Sequence, residues 1–346
     1  IVGPEGPVFV GAAGLARVAQ GLPMAPDSVF QIYSMTKPLT CLATVQLIEQ
    51  GALHLDDPVE WLLPELSELK VLQKDGSLRP ARHAITLRHL LTHTSGLGYA
   101  FTSRRLALFQ RQHPDDPAPL LFDPGQAWHY GTSTDWLGRL VASISGVSLD
   151  AYFEEHILGP LGMVDTTYVP SAQLTSRHVT EHRRQADGTL GEVPFTPQSS
   201  QVSGGGGLAS TVLDYARFLS WLLGDGAAHS LRLLSRDSMT AFTADQTGEI
   251  VAGHWHSGLP AYSNDLDMSD DGTARWSWMG LWSARDMPGK RSAGSVSWGG
   301  LANTYFWADR SAGIGGVLLM QVLPFADRHC LDLFDVFERT AYHLYT

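Results

Sequence analysis

Apolar and polar residues alternate over Val29-Phe30-Gln31-Ile32-Tyr33, the period of a half-buried strand, and then switch to helical spacing from Leu39 to Ile48. The switch predicts a strand running into a helix that opens at Ser34 and stops at Gly51. Residues 7–14 read as a further strand, with Leu15 to Val18 as its hairpin partner. From about residue 56 to 165 the pattern is helix and loop, with helices over Leu87 to Thr92, Arg104 to Gln112, Asp135 to Ile144 and Leu149 to Leu158. Gly146 and Gly159-Pro160 close the last two. This divides the chain into one domain made of residues 1–55 and 166–346 and an inserted helical domain of residues 56–165.

Two helices follow, Thr211 to Leu223 and Ser235 to Phe242, and the pattern then turns strand-like between about 276 and 323. Ser295 to Trp298, Thr304 to Ala308 and Ile314 to Val322 are the predicted strands, with a turn at Asp309 to Gly313 and a closing helix from Phe325 to Tyr345. Ser203-Gly-Gly-Gly-Gly207 is either a flexible linker or a place where backbone approaches another group closely. The capped helix that starts directly after it favours close approach. Four tryptophans (255, 276, 278 and 282) crowd the segment 249–286, as an apolar wall over a cleft or as packing on the sheet.

The strand-to-helix junction carries the first candidate chemistry. In a helix, positions i and i+3 share a face, so Ser34-Met35-Thr36-Lys37 sets an amine beside a hydroxyl. Serine needs a neighbour to take its proton, and a lysine can do so. The unpaired N–H groups of a helix start, that of Ser34 included, suit an oxyanion. The spacing alone also fits a helix N-cap, and it recurs by chance at Ser67-Glu68-Leu69-Lys70, a charged stretch with no apolar helix behind it. A second stretch, Phe122-Asp-Pro-Gly-Gln-Ala-Trp-His-Tyr130-Gly131-Thr132, sets a tyrosine between a Pro-Gly turn and a helix. Its hydroxyl is either structural or, near a lysine ammonium, a group that shares a proton with the serine. In the third stretch, Ser297-Trp298-Gly299-Gly300-Leu301, paired glycines allow close approach to a strand, and the Leu301 N–H offers a second oxyanion donor.

Composition narrows the classes. At 346 residues, with 44% hydrophobic and 17% charged residues, the chain has ample material for a core. A net charge of -11 leaves little to neutralise phosphates, which argues against nucleic acid and anionic membranes. No apolar run reaches the ~18 residues of a membrane span. Cys41 and Cys330 make no disulfide framework. His254/His256 and His178/His182 have metal-like spacing but no third ligand, and no Gly-x-Ser-x-Gly occurs, so no metal, no cofactor and no nucleophile elbow are expected. His93 reads as a loop-fixing residue. The expected location is cytoplasmic, and a chain that begins at Ile1 leaves a removed leader, hence a periplasmic or secreted location, open.

Ser34-Met-Thr-Lys37, Tyr130-Gly-Thr132 and Trp298-Gly-Gly300 occur in the order and at the rough distances of the three motifs of the serine beta-lactamase and penicillin-binding-protein superfamily. Leu90-Leu-Thr-His-Thr-Ser-Gly-Leu97, Pro160-Leu-Gly-Met-Val-Asp165 and Ser203 to Ser210 resemble connecting signatures of its class C-like branch. The resemblance spans nearly the whole chain. It implies an α+β fold, an antiparallel sheet flanked by helices with the inserted all-helical domain beside it, and an active site in the cleft between them. It implies Ser34, Lys37 and Tyr130 as catalytic residues, the Ser34 and Leu301 N–H groups as the oxyanion hole, and Trp298, Gly299, Gly300 and Thr132 as substrate-binding. Two departures matter. The third motif lacks the Lys-Thr-Gly or His-Thr-Gly that holds a substrate carboxylate, and Thr132 stands where Asn is common. Both resemble the family VIII carboxylesterases. The expected substrate is a small ester of a short or medium acyl group; the alternatives are a beta-lactamase, a D-amino-acid peptidase or amidase, an acyltransferase, or a non-catalytic sensor. Arg291 is a candidate replacement for the lost lysine. Whether Lys37 or Tyr130 is the base stays open.

Overall fold

The computed structural model describes residues 1–193, 202–224, 227–228 and 231–346; the rest, all within the second part of the expected sheet domain, lie outside the described residues. The elements that position the site are β1 (Val2–Gly3), β2 (Gly6–Pro7), α1 (Lys37–Glu49), α2 (Leu87–Leu91), α3 (Arg104–Gln112), α4 (Ser133–Ser145), α5 (Leu149–Phe153), α6 (Val212–Leu223), α7 (Arg236–Thr243), β3 (Arg275–Trp276), β4 (Leu281–Trp282), β5 (Val296–Gly300), β6 (Thr304–Asp309), β7 (Ile314–Leu318) and α8 (Arg328–Tyr345). The seven strands form one antiparallel sheet in the order β3-β4-β5-β6-β7-β1-β2, so both ends of the chain build it.

Alternation along β6 explains the layers. Successive side chains of a strand point to opposite faces. Phe306 meets Tyr215 of α6, with ring centroids 5.4 Å apart, whereas Tyr305 and Trp307 meet Phe334 of α8 at 4.7 and 5.8 Å. One helix therefore covers each face. On the far side of α6, α1 is buried from Lys37 to Leu47 and packs against α4 and α7. A helix buried all round cannot show an amphipathic stripe, which is why its sequence reads as evenly apolar.

The helices start where capping side chains allow. Thr86, Ser103, Thr211, Ser235 and Asp327 each accept a backbone N–H of the first turn of α2, α3, α6, α7 and α8. Gly146, in the left-handed region at φ 74°, ends α4. Three expectations need correction. The expected 7–18 hairpin is replaced by two others, Val2–Gly3 with Gly6–Pro7 and Leu15–Arg17 with Leu22–Pro23, the first turning at Pro4-Glu5 and the second through the left-handed Gly21. The stretch 56–165 is not all helical: Asp75-Gly76 turns Lys70–Leu72 back on Leu78–Pro80 as a hairpin. The helix that should open at Ser34 starts as a tight 3-10 turn, Tyr33–Thr36, and becomes α1 only at Lys37, with Pro38 in its first turn.

Strand β5 lies against that turn. A Cβ on Gly300 would collide with the Ile32 carbonyl and the Thr304 hydroxyl, so this glycine admits the turn itself. Gly300→Ala should therefore cost about 1–3 kcal/mol of stability, the usual range for overpacking, read as a lower urea midpoint at unchanged slope.

Candidate active site

Ser34 reaches its position through a strained neighbour. Phe30–Gln31 pairs with Ala209–Ser210, Ile32 donates its N–H to Leu208, and Tyr33 then turns at φ 46°, a conformation costly for a non-glycine residue. The Tyr33 hydroxyl donates to Glu181 at 2.5 Å and holds the turn from outside. Side chains three apart eclipse in a 3-10 turn, and Lys37 Nζ accordingly lies 3.3 Å from Ser34 Oγ.

Lys37 is buried, and an ammonium has three donors and no acceptor. Its three partners are Ser34 Oγ at 3.3 Å, the Tyr99 hydroxyl at 3.2 Å and the Gly205 carbonyl at 2.8 Å. The glycine run is thus a strap over the nucleophile's helix. Thr40 Oγ1 donates to the Gly204 carbonyl at 2.8 Å, and a Cβ on Gly204 or Gly205 would strike Thr134 or Asp135 of α4. Close approach, not a linker, is what these glycines serve.

The hydroxyl bonded to Lys37 is that of Tyr99, a residue the motifs do not mark. Tyr130 instead presents its ring, with Lys37 Nζ 4.8 Å from the centroid, and its hydroxyl accepts the Trp298 indole N–H at 3.2 Å. Tyr99 donates to Asp135 Oδ2 at 2.5 Å, and the Ser203 hydroxyl donates to Oδ1 at 2.5 Å. Burial, with the Asp135 carboxylate second, holds the Tyr99 hydroxyl well above the ordinary tyrosine range, so it stays protonated. Tyr99 lies two residues beyond the Leu90 to Leu97 signature and Asp135 stands in the first turn of α4. Their signal was proximity to known motifs, but nothing local says that they meet.

Two spaces share Ser34 and Leu301 in their walls. A slot of about 10 Å³ is lined by Phe101, Tyr130, Trp255, Trp298 and Phe325. An open groove of about 350 Å³ is lined by Tyr33, Tyr99, Phe101, Asp135, Ser203 and Gly205–Gly207. The structure thus brings together Ser34, Lys37, Tyr130, Trp298, Gly299, Gly300 and Leu301. Thr132 lines neither space; it opens α4, its carbonyl accepting the Trp136 N–H. The Trp-rich segment contributes directly, because Trp255 stacks on Tyr130 with centroids 5.5 Å apart and Trp276 meets Trp298 edge-on at 4.6 Å.

Other candidates separate cleanly. Ser67 and Lys70 border a cavity of about 420 Å³, but Lys70 starts a strand and the Ser67 hydroxyl donates to the Pro64 carbonyl at 2.7 Å. Arg291 cannot stand in for the missing lysine: its Nε and Nη2 both donate to the Glu338 carboxylate at 2.7 Å, and it lines a different cavity. Among the described residues no Lys, Arg or His lines the slot or the groove. Among the described residues no cluster of three His, Cys, Asp or Glu could hold a metal, and no helix is long and apolar enough to cross a membrane.

This is the fold and motif order of the serine beta-lactamases and penicillin-binding proteins. The chain belongs to the Beta-lactamase family, whose profile matches residues 1–340. It is 32% identical to monacolin J acid methylbutanoyltransferase of Aspergillus terreus, over 93% of this chain and 84% of the relative. Lovastatin esterase of Penicillium rubens is 29% identical, over 94% of this chain and 87% of that protein. The structure of simvastatin synthase (LovD) from Aspergillus terreus superposes with a TM-score of 0.78 at 28% identity, over 96% of this chain and 89% of the other. With such relatives the chain is an acyl-transferring enzyme of the serine hydrolase type.

His93 fixes the loop under Tyr130. Its carbonyl accepts the His129 N–H at 2.9 Å and its Nδ1 accepts the Gly131 N–H at 3.4 Å. Burial first, then Lys37, holds His93 well below 6.5; burial likewise lowers His129 to about 4. A histidine that folds neutral takes up a proton on unfolding, so stability is full above pH 6.5 and lost below it, down to about pH 4 for His129. Urea titrations at pH 7 and 5 should show a loss of roughly 1 kcal/mol per pH unit for each, and His93→Gln should lessen it.

Proposed function

We propose that the protein is a carboxylesterase for short acyl groups that works through a covalent acyl-enzyme on Ser34, with transfer of the acyl group to an alcohol as the second activity of the same site. The observation that carries this reading is the Ser34–Lys37 pair in the wall between an aromatic slot and an open groove. We assign the acyl group to the aromatic slot, which at about the size of one water has to widen to admit it, and the alcohol part to the open groove. We read the site as the cleft between the sheet domain, residues 1–55 and 166–346, and the inserted domain, residues 56–165. Its lining draws on both: Ser34, Trp255 and Trp298 from the first, Tyr99, Phe101, Tyr130 and Asp135 from the second.

In this mechanism Ser34 Oγ bonds to the ester carbonyl carbon and its proton passes to the Lys37–Tyr130 pair, which accepts it with one of the two, the Lys37 amine or the Tyr130 oxygen, deprotonated at that step. The Ser34 and Leu301 N–H groups hold the oxyanion. Collapse breaks the ester C–O bond, and the alkoxide leaves with the proton. Water then adds to the acyl carbon and gives its proton to the pair, and Ser34 leaves as the hydroxyl. An alcohol in the groove would replace water, which is the transferase outcome that the methylbutanoyltransferase relative favours. Among the described residues that line the two spaces, a penicillin or peptide carboxylate would find no cationic side chain, and it would meet the Asp135 carboxylate and aromatic rings.

Wild type should hydrolyse p-nitrophenyl butyrate with a kcat/KM well above that for nitrocefin, and Ser34→Ala should lower the ester rate by about 10⁴-fold or more. Faster nitrocefin turnover, or an active Ser34→Ala, would refute the reading. Trp255→Ala, by opening the slot, should raise the ratio of decanoate to acetate hydrolysis.

A further inference from the structure

Lys37 carries its charge in a buried position, where an ionised group persists only if paired or fully hydrogen-bonded. No carboxylate touches it. The nearest negative charge reached through hydrogen bonds is Asp135, one step away: Lys37 Nζ to the Tyr99 hydroxyl at 3.2 Å, then Tyr99 to Asp135 at 2.5 Å. Asp135 is itself held at both oxygens, by Tyr99 and by Ser203, and the Gly205 backbone that meets Lys37 lies directly against it. The chain of groups ties the buried Lys37 amine to a carboxylate through a middle hydroxyl.

We infer that Tyr99 and Asp135 are positioning residues for Lys37: the Asp135 carboxylate fixes the Tyr99 hydroxyl as an acceptor, and that acceptor, with the Gly205 carbonyl, aims the third N–H of Lys37 at Ser34. This rests on Ser34 being the nucleophile. The donors settle the direction of each bond. Tyr99 has one proton, which goes to the carboxylate, so its oxygen faces Lys37 with lone pairs alone. The Tyr99 ring is set independently, stacked on Phe101 at 4.9 Å, so Tyr99→Phe removes the acceptor and leaves the packing. The other titratable groups that feel Lys37 are Tyr130, over whose ring it lies, His93 and Cys41. His93 is held neutral, and burial pushes the Cys41 thiol up to about 12, so neither changes charge across the working range.

The test measures the rate of Ser34 labelling by a fluorophosphonate, read by intact mass, for wild type, Tyr99→Phe, Asp135→Asn, the double variant and Ser203→Ala, from pH 6 to 10. This reports nucleophile activation whichever ester is the substrate. Tyr99→Phe and Asp135→Asn should each label about 10- to 100-fold more slowly, the double variant no more slowly than the worse single, and Ser203→Ala only a few-fold more slowly. With butyrate ester the losses should fall on kcat, with KM nearly unchanged. Wild-type rates in both single variants, multiplicative losses in the double variant, or losses in KM alone would overturn the inference. Labelling of wild type without ester turnover would sink the proposed esterase and leave this inference standing; a wild type that is not labelled at Ser34 would overturn both.

Discussion

A buried ammonium that must find three acceptors is the constraint on which the rest of this structure depends. The three acceptors around Lys37 come from residues 34, 99 and 205, far apart in sequence. Burying a charge without partners costs several kcal/mol, so the cation is tolerable only when the loop after α2 and the glycine strap have both closed over α1. Closing them requires bare backbone: Gly204 against α4, Gly205 against Asp135 and Gly300 against Ile32. The glycines that look like freedom in the sequence are close contacts in the fold. The same closure leaves Ser34 half-buried between the slot and the groove, so folding and activation of the serine are one event.

The third motif shows how one change redirects a shared site. Where related penicillin-recognising enzymes are expected to place a cation and a hydroxyl, Trp298 is buried, and its indole N–H is committed to the Tyr130 hydroxyl. Trp255, Trp276 and Phe325 complete an aromatic floor, and among the described residues Asp135 is the one charged side chain in the lining of the two spaces. Such a surface repels a carboxylate and receives a neutral acyl group. The names of the relatives, a methylbutanoyltransferase and an esterase among them, speak of acyl transfer and ester hydrolysis.

What the sequence revealed follows the range of the interaction. Ser34 and Lys37 are three residues apart, and α3, α6 and α7 announce themselves through caps three residues from their partners. The antiparallel sheet was legible in β5 to β7 because those strands are consecutive, and the superfamily motifs supplied the rest of the fold. Short hairpins near the N-terminus misled, since two-residue strands carry no measurable period. Tyr99 and Asp135 were invisible as site residues for a different reason. Tyr99 meets Asp135 across 36 residues of chain and Lys37 across 62, and no local pattern encodes which of two tyrosines will offer its hydroxyl and which its ring. The aromatic segment 249–286 was flagged by composition, but only the packing of Trp255 on Tyr130 says what it does.

The most direct measurement is to quench the protein during steady-state turnover of p-nitrophenyl butyrate, digest it, and locate the modification by mass spectrometry. One butyryl group on the peptide that contains Ser34, lost on further incubation and absent from Ser34→Ala, is the predicted result. A butyryl group on another residue, or turnover with no acylated species and an active Ser34→Ala, would contradict the account.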